Sequence, residues 1–279
     1  MTGAEVHRTR SSDGTVIGWE RTGAGPPLVL VHGSFSDRTC WSQSVPLLAP
    51  HFELASVDRR GRGLSPAPGP TDLAREAADL RAVLDALGRP AAICGWSFGA
   101  VVALQAVLEG VPCTRLVLYE PPLPVASALP EGFRSEFFGL VEAGEHEAAT
   151  VLFLIRVMRL QPAVVAVMQQ YPLWPNVVAA APSARWEMVV LDAYHYDVDL
   201  VRACRVPATV LAGTNSPPHL VEAGELLAGD LPAARLVRLP GQHHFAHLSN
   251  PAEFTAAVRQ ALSPVSPARA VRGVEGGTR

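Results

Sequence analysis

Short apolar runs recur along the chain, with helical stretches between them. Runs of this kind, bounded by turn residues, are typical of strands that are buried on both faces of a parallel sheet. They predict strands at residues 27–31, 54–57, 91–94, 116–119, 207–212 and 235–239. An opening hairpin is predicted at residues 6–10 and 16–21, because the Asp13-Gly14 pair between them is typical of a tight turn.

Helices are predicted between most of these strands. One begins after Thr71 or Asp72 as its N-cap and ends at Gly88, and the others cover residues 41–49, 100–108, 220–228 and 251–262. Strand and helix alternate at short spacing. The pattern therefore predicts an α/β fold, with a mostly parallel, eight-stranded sheet and helices on both faces.

The alternation breaks in the middle of the chain. From about residue 123 to 205 the pattern is helical and is punctuated by prolines. We therefore predict a core in two parts, residues 1–122 and 206–263, with residues 123–205 inserted as a helical cap. Residues 264–279 are rich in Pro, Gly, Ser and Arg, which predicts a disordered tail.

Composition narrows the class of protein. Hydrophobic residues make up 48% of the chain and charged residues 18%, as in a globular protein with a sizeable core. The formal net charge is −3 and no basic run is present, so nothing indicates a nucleic acid or a membrane as partner. No apolar run could span a bilayer, and residues 1–5 lack the apolar segment of a signal peptide. We expect a small-molecule partner and a monomer or homodimer.

The cysteines indicate the compartment. Cys40, Cys94, Cys113 and Cys204 are scattered and form no C-x-x-C pair. This usage suits free, mostly buried thiols in a reducing cytoplasm, where we expect the protein. No metal-ligand spacing stands out, and neither a metal nor another cofactor is expected.

The candidate chemistry centres on Gly95-Trp96-Ser97-Phe98-Gly99, a G-x-S-x-G turn between a predicted strand and a predicted helix. A serine hydroxyl is a poor nucleophile unless it is held beside a base. A sharp strand-to-helix turn holds Ser97 above the sheet edge, and Gly95 and Gly99 leave room where a Cβ would clash. The N–H of Phe98 would then lie at a helix N-terminus, where an oxyanion could bind.

Three further motifs follow other predicted strands. His32-Gly33-Ser34 follows the third, residues 58–65 (DRRGRGLS) follow the fourth, and His243-His244 follows the last. Together with the G-x-S-x-G turn at Ser97, which we call the elbow, and in this order, these motifs resemble the α/β-hydrolase superfamily from about residue 16 to 262. In residues 58–65 we expect a turn that shapes the sheet edge, and we expect Arg59, Arg60 and Arg62 to brace loops and not to bind an anion.

The resemblance implies a cofactor-free serine hydrolase with Ser97 as nucleophile. It also implies an oxyanion hole formed by the N–H groups of Phe98 and Ser34, with Phe35 as the fallback for the second donor. His32 is expected to have a structural role, bracing loops by hydrogen bonds.

His244 is the expected general base. Residues 239–245 (LPGQHHF) resemble the family's histidine loop, in which the catalytic histidine usually follows Gly-x-Gly. His243 would then fill the glycine position. The base must reach the Ser97 hydroxyl and take its proton. His243 is the competing candidate, and His247 is expected at a helix start or on the surface.

The expected position of the triad acid differs from the commonest pattern of the family. Most members carry Asp after the strand that is here 209–212, but this chain has Gly-Thr-Asn-Ser-Pro at 213–217 and no carboxylate. Some members use the end of the strand after the elbow helix, where this chain has Glu120-Pro121-Pro122. Active sites of α/β proteins gather at strand C-termini, so Glu120 is the expected acid. Asp197 and Asp199 are weaker candidates.

Glu-Pro-Pro at this place also occurs in the zearalenone lactonases, a Ser-His-Glu branch whose cap carries Tyr-Pro-Val-Trp. This chain has Tyr171-Pro172-Leu173-Trp174 in the predicted cap, and the late His244-Phe245 followed by Pro251 is similar too. The resemblance implies a bulky apolar ester or lactone as substrate. We expect Trp174, Tyr171 and Phe35 to contact it.

Two other functions stay open at this point. The same triad could catalyse perhydrolysis, acyl transfer, C–C bond hydrolysis or a lyase step. The chain could instead be a non-catalytic ligand-binding member of the family. Intact Ser97 and His244 weigh against binding alone, whereas the missing Asp near Asn215 weighs slightly for it. We expect cleavage of an ester or lactone through an acyl-enzyme.

Overall fold

One eight-stranded sheet forms the centre of the molecule. The computed structural model describes residues 4–66, 69–123 and 129–263. The strands are β1 (Glu5–Arg10), β2 (Val16–Thr22), β3 (Pro27–Val31), β4 (Glu53–Val57), β5 (Ala92–Trp96), β6 (Leu116–Tyr119), β7 (Ala208–Gly213) and β8 (Ala234–Leu239). Their order across the sheet is β1-β2-β4-β3-β5-β6-β7-β8. The predicted α/β-hydrolase fold is confirmed.

The sheet is parallel except at β1 and β2. β1 pairs with β2 and β2 with β4 in antiparallel fashion, whereas every pair from β4 to β8 is parallel. Strands β3 to β7 are buried along their whole length, which explains why they read as continuous apolar runs. The carboxyl ends of the parallel strands meet at one edge of the sheet, so the motifs that follow them in the sequence meet there too.

The helices flank the sheet and fill the predicted insertion. In chain order they are α1 (Val45–Leu48), α2 (Leu73–Leu87), α3 (Phe98–Leu108), α4 (Phe133–Glu142), α5 (His146–Arg156), α6 (Pro162–Met168), α7 (Trp174–Ala179), α8 (Ala181–Ala193), α9 (Val198–Ala203), α10 (Pro218–Asp230), α11 (Ala246–Ser249) and α12 (Pro251–Leu262). A 3-10 helix at Arg38–Trp41 precedes α1.

One prediction needs correction. Residues 41–49 were expected to form a single helix, but the chain makes the 3-10 turn first and then starts α1 afresh. Pro46 explains the break, because proline lacks the N–H that a helix interior needs and fits only in a first turn. By contrast, α2 begins and ends as predicted: the Asp72 side chain accepts from the Arg75 N–H, and Gly88 closes the helix at a φ of 67°.

Successive residues of β3 face opposite sides of the sheet, and each side has its own apolar cluster. Val29 and Val31 belong to a cluster with α2, α3 and α10. Leu28 and Leu30 belong to a second cluster, with α1 and α12. Helices therefore cover both faces, as expected of a doubly wound sheet.

Six helices, α4–α9, lie between β6 and β7 in the chain, and we call the first five, α4–α8, the cap helices. A third apolar cluster joins them to Phe35 after β3, Leu220 in α10 and Phe245 after β8. Because these residues lie at or near the carboxyl ends of the strands, the cap helices cover that edge. The predicted tail, 264–279, lies outside the described residues.

The state of the cysteines and, in the part of the chain described, the absence of long apolar helices were both expected from the sequence. All four cysteines are free thiols, with Cys40 and Cys94 buried and Cys113 and Cys204 half-buried. Within the three described ranges, no helix combines the length and apolar character needed to cross a membrane.

Candidate active site

Ser97 lies between β5 and α3 in a backbone conformation that residues other than glycine rarely adopt. Its φ is 55° and its ψ is −127°. Gly95 and Gly99 allow the strand and the helix to approach this closely. A Cβ on Gly95 would lie 2.5 Å from the Gly99 carbonyl oxygen, and one on Gly99 would lie 2.3 Å from the carbonyl oxygen of His32. The turn thus has the strained form that G-x-S-x-G predicts.

Backbone strain concentrates around this turn. Four described residues other than glycine have a positive φ: Phe35 (52°), Ser97 (55°), Glu120 (49°) and Arg159 (56°). Phe35, Ser97 and Glu120 follow β3, β5 and β6 at the carboxyl edge, and Arg159 lines a cavity beside His244. Such conformations cost about 1–3 kcal/mol each and are found mostly at functional sites.

Glu120 and His244 form a buried pair. Nδ1 of His244 lies 2.6 Å from Oε2 of Glu120, and their side chains are only 4% and 0% exposed. An ionised carboxylate can only accept, so Nδ1 of His244 carries the proton in this bond. Nε2 then has the free lone pair that a general base requires. The structure brings the predicted base and the predicted acid together.

The turn at the end of β7, residues 213–216, binds Glu120, the predicted acid, and supplies no acid itself. The Gly213 N–H and the Ser216 hydroxyl both donate to Oε1 of Glu120, each at 2.6 Å. A Cβ on Gly213 would lie 2.4 Å from the Gln242 carbonyl oxygen, so only glycine fits here. Both oxygens of the buried carboxylate are therefore satisfied, one by the turn and one by His244. We call residues 213–216 the acid-supporting turn.

The histidine loop, residues 240–245, is fixed from three sides. The Trp96 indole donates to the His244 carbonyl oxygen at 2.9 Å, and the Tyr119 hydroxyl donates to that of His243. From the acid-supporting turn, the Asn215 N–H donates to the Gln242 carbonyl oxygen at 2.8 Å. Sequence reasoning missed Trp96 and Tyr119, because an aromatic residue at a strand end is usually read as core packing.

The two neighbouring histidines have other roles. His243 Nδ1 accepts from the Phe245 N–H at 3.2 Å, and burial together with nearby His244 lowers the pKa of His243. His247 lies in α11, but it is buried and not on the surface, with its ring between Trp41 and Trp96 at centroid distances of 5.2 and 4.1 Å. The pair with Glu120 therefore distinguishes His244 from its competitors.

Trp96 connects the turn at Ser97 with the histidine loop. Trp96 immediately precedes Ser97 in the chain. Its indole N–H donates to the His244 carbonyl oxygen, and the centroids of the Trp96 and His244 rings lie 5.3 Å apart. Among the described residues, no hydrogen bond joins the Ser97 Oγ to His244 in this structure. Such bonds are often long in the absence of substrate and shorten in the complex.

Residues 32–35 contain the predicted oxyanion donor Ser34, and we call them the oxyanion loop. They pack directly on the turn at Ser97. A Cβ on Gly33 would lie 2.8 Å from that of Ser97. As the first residue of α3, Phe98 has an N–H without an acceptor inside the helix. The predicted donors, Phe98 and Ser34, thus flank the Ser97 turn. Phe35, the fallback donor, packs its ring on Phe153 of the cap helices at 4.5 Å.

His32 has the structural role expected of it. Its Nε2 accepts from the Arg59 N–H at 3.1 Å, so its Nδ1 carries the proton and donates to the Gly33 carbonyl oxygen at 2.8 Å. Burial, followed by the charges of Arg59 and Arg62, holds the pKa of His32 well below its usual range. The ring is therefore neutral and in one tautomer.

The arginines of residues 58–65 are paired with buried carboxylates, as expected of loop braces. Arg59 contacts Glu76 and Glu187 at 2.7 Å each. Arg60 contacts Asp79 at 2.7 Å, and Arg62 contacts Glu187 at 2.5 Å.

Asp58 closes the turn itself, since its carboxylate accepts from the N–H groups of Arg38 and Leu64. The weaker acid candidates lie elsewhere: Asp197 caps α9 by accepting from Asp199 and Leu200, and both aspartates are exposed.

A cavity of about 250 Å³ opens beside His244. Its lining combines apolar and polar side chains, with Arg159 on the cap side, and consists of Met158, Arg159, Leu160, Asn215, Ser216, Pro217, Pro218, His243, His244 and Phe245. A cavity of this kind, mostly apolar with a few polar groups, is typical of a site for a small organic ligand.

The three predicted substrate contacts lie outside the lining of this cavity. Trp174 is buried among the cap helices and its indole donates to Glu147 at 2.9 Å, whereas Tyr171 is 62% exposed. Phe35 lies at the junction with the cap helices, and contact of these three residues with the substrate stays a prediction. A buried indole needs an acceptor for its N–H, and Glu147 provides it.

Comparison with known proteins agrees with this geometry. The sequence model of the group described as "Alpha/beta hydrolase family" matches residues 28–258. The chain belongs to the α/β-hydrolase family. A pimeloyl-[acyl-carrier protein] methyl ester esterase of Nitrosomonas europaea is 26% identical over 85% of this chain and 96% of that protein. The enzyme of the same name from Methylococcus capsulatus is 42% identical, but the chain covers only 33% of its length.

Solved structures lead to the same α/β-hydrolase family. An α/β hydrolase from Sphaerobacter thermophilus is 33% identical, with a TM-score of 0.82 over 92% of this chain and 100% of that one. The esterase RhEst1 from Rhodococcus sp. ECU1013 is 26% identical, with a TM-score of 0.75 over 91% of this chain and 97% of that one. Family membership and these relatives support an ester-cleaving hydrolase.

Proposed function

We propose that the protein is a cofactor-free serine hydrolase that cleaves a carboxylic ester or a lactone through an acyl-enzyme. The observation that carries this proposal is the buried Glu120–His244 pair, with its 2.6 Å bond, at the sheet edge where Ser97 occupies a strained elbow. A nucleophile, a base and an acid that orients the base are the three parts of a serine triad.

The first half-reaction forms the acyl-enzyme. His244 Nε2 takes the hydroxyl proton as Ser97 Oγ attacks the carbonyl carbon, and Glu120 stabilises the imidazolium through Nδ1. The oxyanion of the tetrahedral intermediate accepts from the N–H groups of Phe98 and Ser34. When the intermediate collapses, the bond to the leaving oxygen breaks and His244 gives its proton to that oxygen.

The second half-reaction releases the acid. His244 removes a proton from a water molecule, which attacks the acyl carbon, and the same N–H groups hold the new oxyanion. Collapse breaks the bond to Ser97 Oγ, which recovers its proton from His244. The carboxylic acid and the alcohol are the two products, and for a lactone they are parts of one hydroxy acid.

For the substrate we propose a bulky, mainly apolar ester or lactone. The support is the cavity beside His244, where Met158, Leu160 and Phe245 form apolar walls under the cap helices. Cover of this kind excludes water from the reacting groups. The curated relatives that act on a methyl ester also favour an ester bond as the target.

Covalent labelling tests the proposal. A fluorophosphonate probe should label the wild type once, at Ser97, and an activated aryl ester should give a burst of phenol followed by steady turnover. Ser97→Ala should lose both the label and the burst while its circular dichroism is unchanged. Absence of label and burst in folded wild type would favour a ligand-binding member of the family, and product analysis separates hydrolysis from acyl transfer.

A further inference from the structure

A group of buried charges connects the cap helices to the core directly under the oxyanion loop. Glu187, on α8, is 1% exposed and its Oε1 lies 2.7 Å from Nη2 of Arg59 and 2.5 Å from Nη2 of Arg62. From the core side, Glu76 of α2 binds Nε and Nη2 of Arg59 at 2.7 and 2.8 Å. Two cations and two carboxylates therefore share one site that water does not reach.

Neighbouring opposite charges stabilise the ionised forms of Glu187 and Arg59. Burial alone would raise the pKa of Glu187, but Arg62, Arg59 and the neighbouring Ser34 side chain outweigh it and lower that pKa below its usual range. Burial alone would lower the pKa of Arg59, and Glu76 and Glu187 raise it instead. Each carboxylate is thus held as the partner of a cation, as a buried ion must be.

Arg59 contacts both parts of the oxyanion hole. Its Nη1 donates to the Gly33 carbonyl oxygen at 3.3 Å, and its guanidinium carbon lies 4.5 Å from the centre of the Phe98 ring. In a trans peptide the C=O and the following N–H point in opposite directions. Because Arg59 and His32 hold the Gly33 carbonyl on their side, the N–H of Ser34 is directed away from them.

We propose that Arg59 and Glu187 are positioning residues for the oxyanion hole, through which the cap helices set the direction of the Ser34 N–H. Glu187 holds the guanidinium from the cap side, and Arg59 in turn holds the Gly33–Ser34 peptide and the Phe98 ring. This inference rests on the proposed function and deepens it. The cap helices then complete the oxyanion hole as well as cover the site.

The test compares two arginines of the same loop. Arg59→Lys keeps the charge but cannot bind Glu76, Glu187 and the Gly33 carbonyl at once, because lysine lacks the planar fork. Arg60→Lys is the matched control, since Arg60 is also buried and paired, with Asp79 and Asp13, and contacts no oxyanion residue. Active sites are titrated with the fluorophosphonate so that only folded enzyme is counted.

We expect Arg59→Lys to lower kcat for an aryl ester by about 10- to 100-fold with KM within about twofold, because loss of a whole oxyanion donor costs about 100- to 1000-fold. Glu187→Gln should lower kcat in the same direction by about tenfold, since its amide oxygen can still accept from Arg59. Arg60→Lys should keep kcat within about threefold.

A second readout separates positioning from a general loss of structure. A trifluoromethyl ketone binds Ser97 as a tetrahedral oxyanion, whereas the product carboxylate binds without forming one. The inhibition constant of the ketone should rise in step with the fall in kcat across the variants, and that of the carboxylate should not change.

Equal kcat for Arg59→Lys and Arg60→Lys, or equal losses of ketone and carboxylate binding, would overturn the inference. Glu187→Gln supplies the same comparison if Arg59→Lys does not fold. Failure of the proposed function looks different, because the wild type itself would then show neither label nor turnover.

Discussion

At the residue scale, the unusual feature is the backbone of Glu120. Its N–H still pairs with the Leu211 carbonyl oxygen at 3.1 Å, but its φ of 49° ends the strand abruptly. Pro121 follows at once and excludes further sheet pairing. The conformation brings the carboxylate to the acid-supporting turn on one side and to His244 on the other.

The Ser216 hydroxyl should therefore matter to both stability and rate. Ser216→Ala leaves Oε1 of Glu120 with only the Gly213 N–H, and a hydrogen bond to a buried charge contributes about 1.5–3 kcal/mol. We expect the free energy of unfolding, measured in urea, to fall by about that amount. We also expect kcat to fall by up to about tenfold, because Glu120 then holds His244 less rigidly.

Ser263→Ala is a suitable control for this measurement. Ser263 is exposed at the end of α12, and among the described residues its hydroxyl donates only to the Arg259 carbonyl oxygen. It should change neither quantity measurably. If Ser216→Ala behaved like this control, the acid-supporting turn would have no functional role.

At the element scale, most of the fold could be predicted, because buried strands and capped helices leave a local signal. The strands lie within two residues of their predicted bounds. The lining of the cavity could not be predicted in this way. An amphipathic cap helix shows which side chains are apolar, but not which of them face the substrate and which face another helix, so the sequence could not show that Trp174 packs among the cap helices.

Two substitutions test whether Trp174 or the cavity wall contacts the substrate. Trp174→Phe removes the bond to Glu147 inside the cap helices, so we expect a loss of about 1 kcal/mol in unfolding free energy and a KM within about twofold of wild type. Leu160→Ala removes apolar surface from the cavity wall, and we expect KM for a bulky aryl ester to rise by about tenfold. A larger increase in KM for Trp174→Phe than for Leu160→Ala would instead support Trp174 as a substrate contact.

At the scale of the whole molecule, two buried histidines make stability depend on pH. Burial holds the pKa of both His32 and His247 well below the usual 6.5. The unfolded chain therefore binds protons that the folded chain refuses, so their contribution to stability is complete above pH 6.5 and is lost as pH falls below it. Among the described residues, neither ring nitrogen of His247 has a hydrogen-bond partner.

His247→Phe should remove one of these two contributions and keep the aromatic packing. Between about pH 7 and about pH 5.5 each histidine of this kind lowers the free energy of unfolding by about 1 kcal/mol. Urea unfolding at both values should show a drop that is smaller by about 1 kcal/mol in the variant than in the wild type. An unchanged drop would mean that His247 takes up its proton in the folded state.

The contacts between the cap helices and the core also belong to this scale, and the sequence carries no local sign of them. Glu187 pairs with Arg62 from 125 residues away, and in sequence it is one of two acids, with Asp192, on a mostly apolar helix. Ser97, His244 and Glu120 could be predicted because each stands in a motif after a strand. Gly213 and Ser216, which bind Glu120, stand where most members of the family carry Asp.

The most direct test of the account is the rate of Glu120→Gln. The central claim is a Ser97–His244–Glu120 triad, in which an amide cannot balance the charge of the imidazolium or hold the same tautomer. The measurement is kcat for an activated aryl ester, with folding checked by circular dichroism and with Asp197→Asn as control. The account predicts a loss of about a thousandfold or more for Glu120→Gln and nearly full activity for Asp197→Asn. Nearly full activity in Glu120→Gln, or an equal loss in Asp197→Asn, would contradict it.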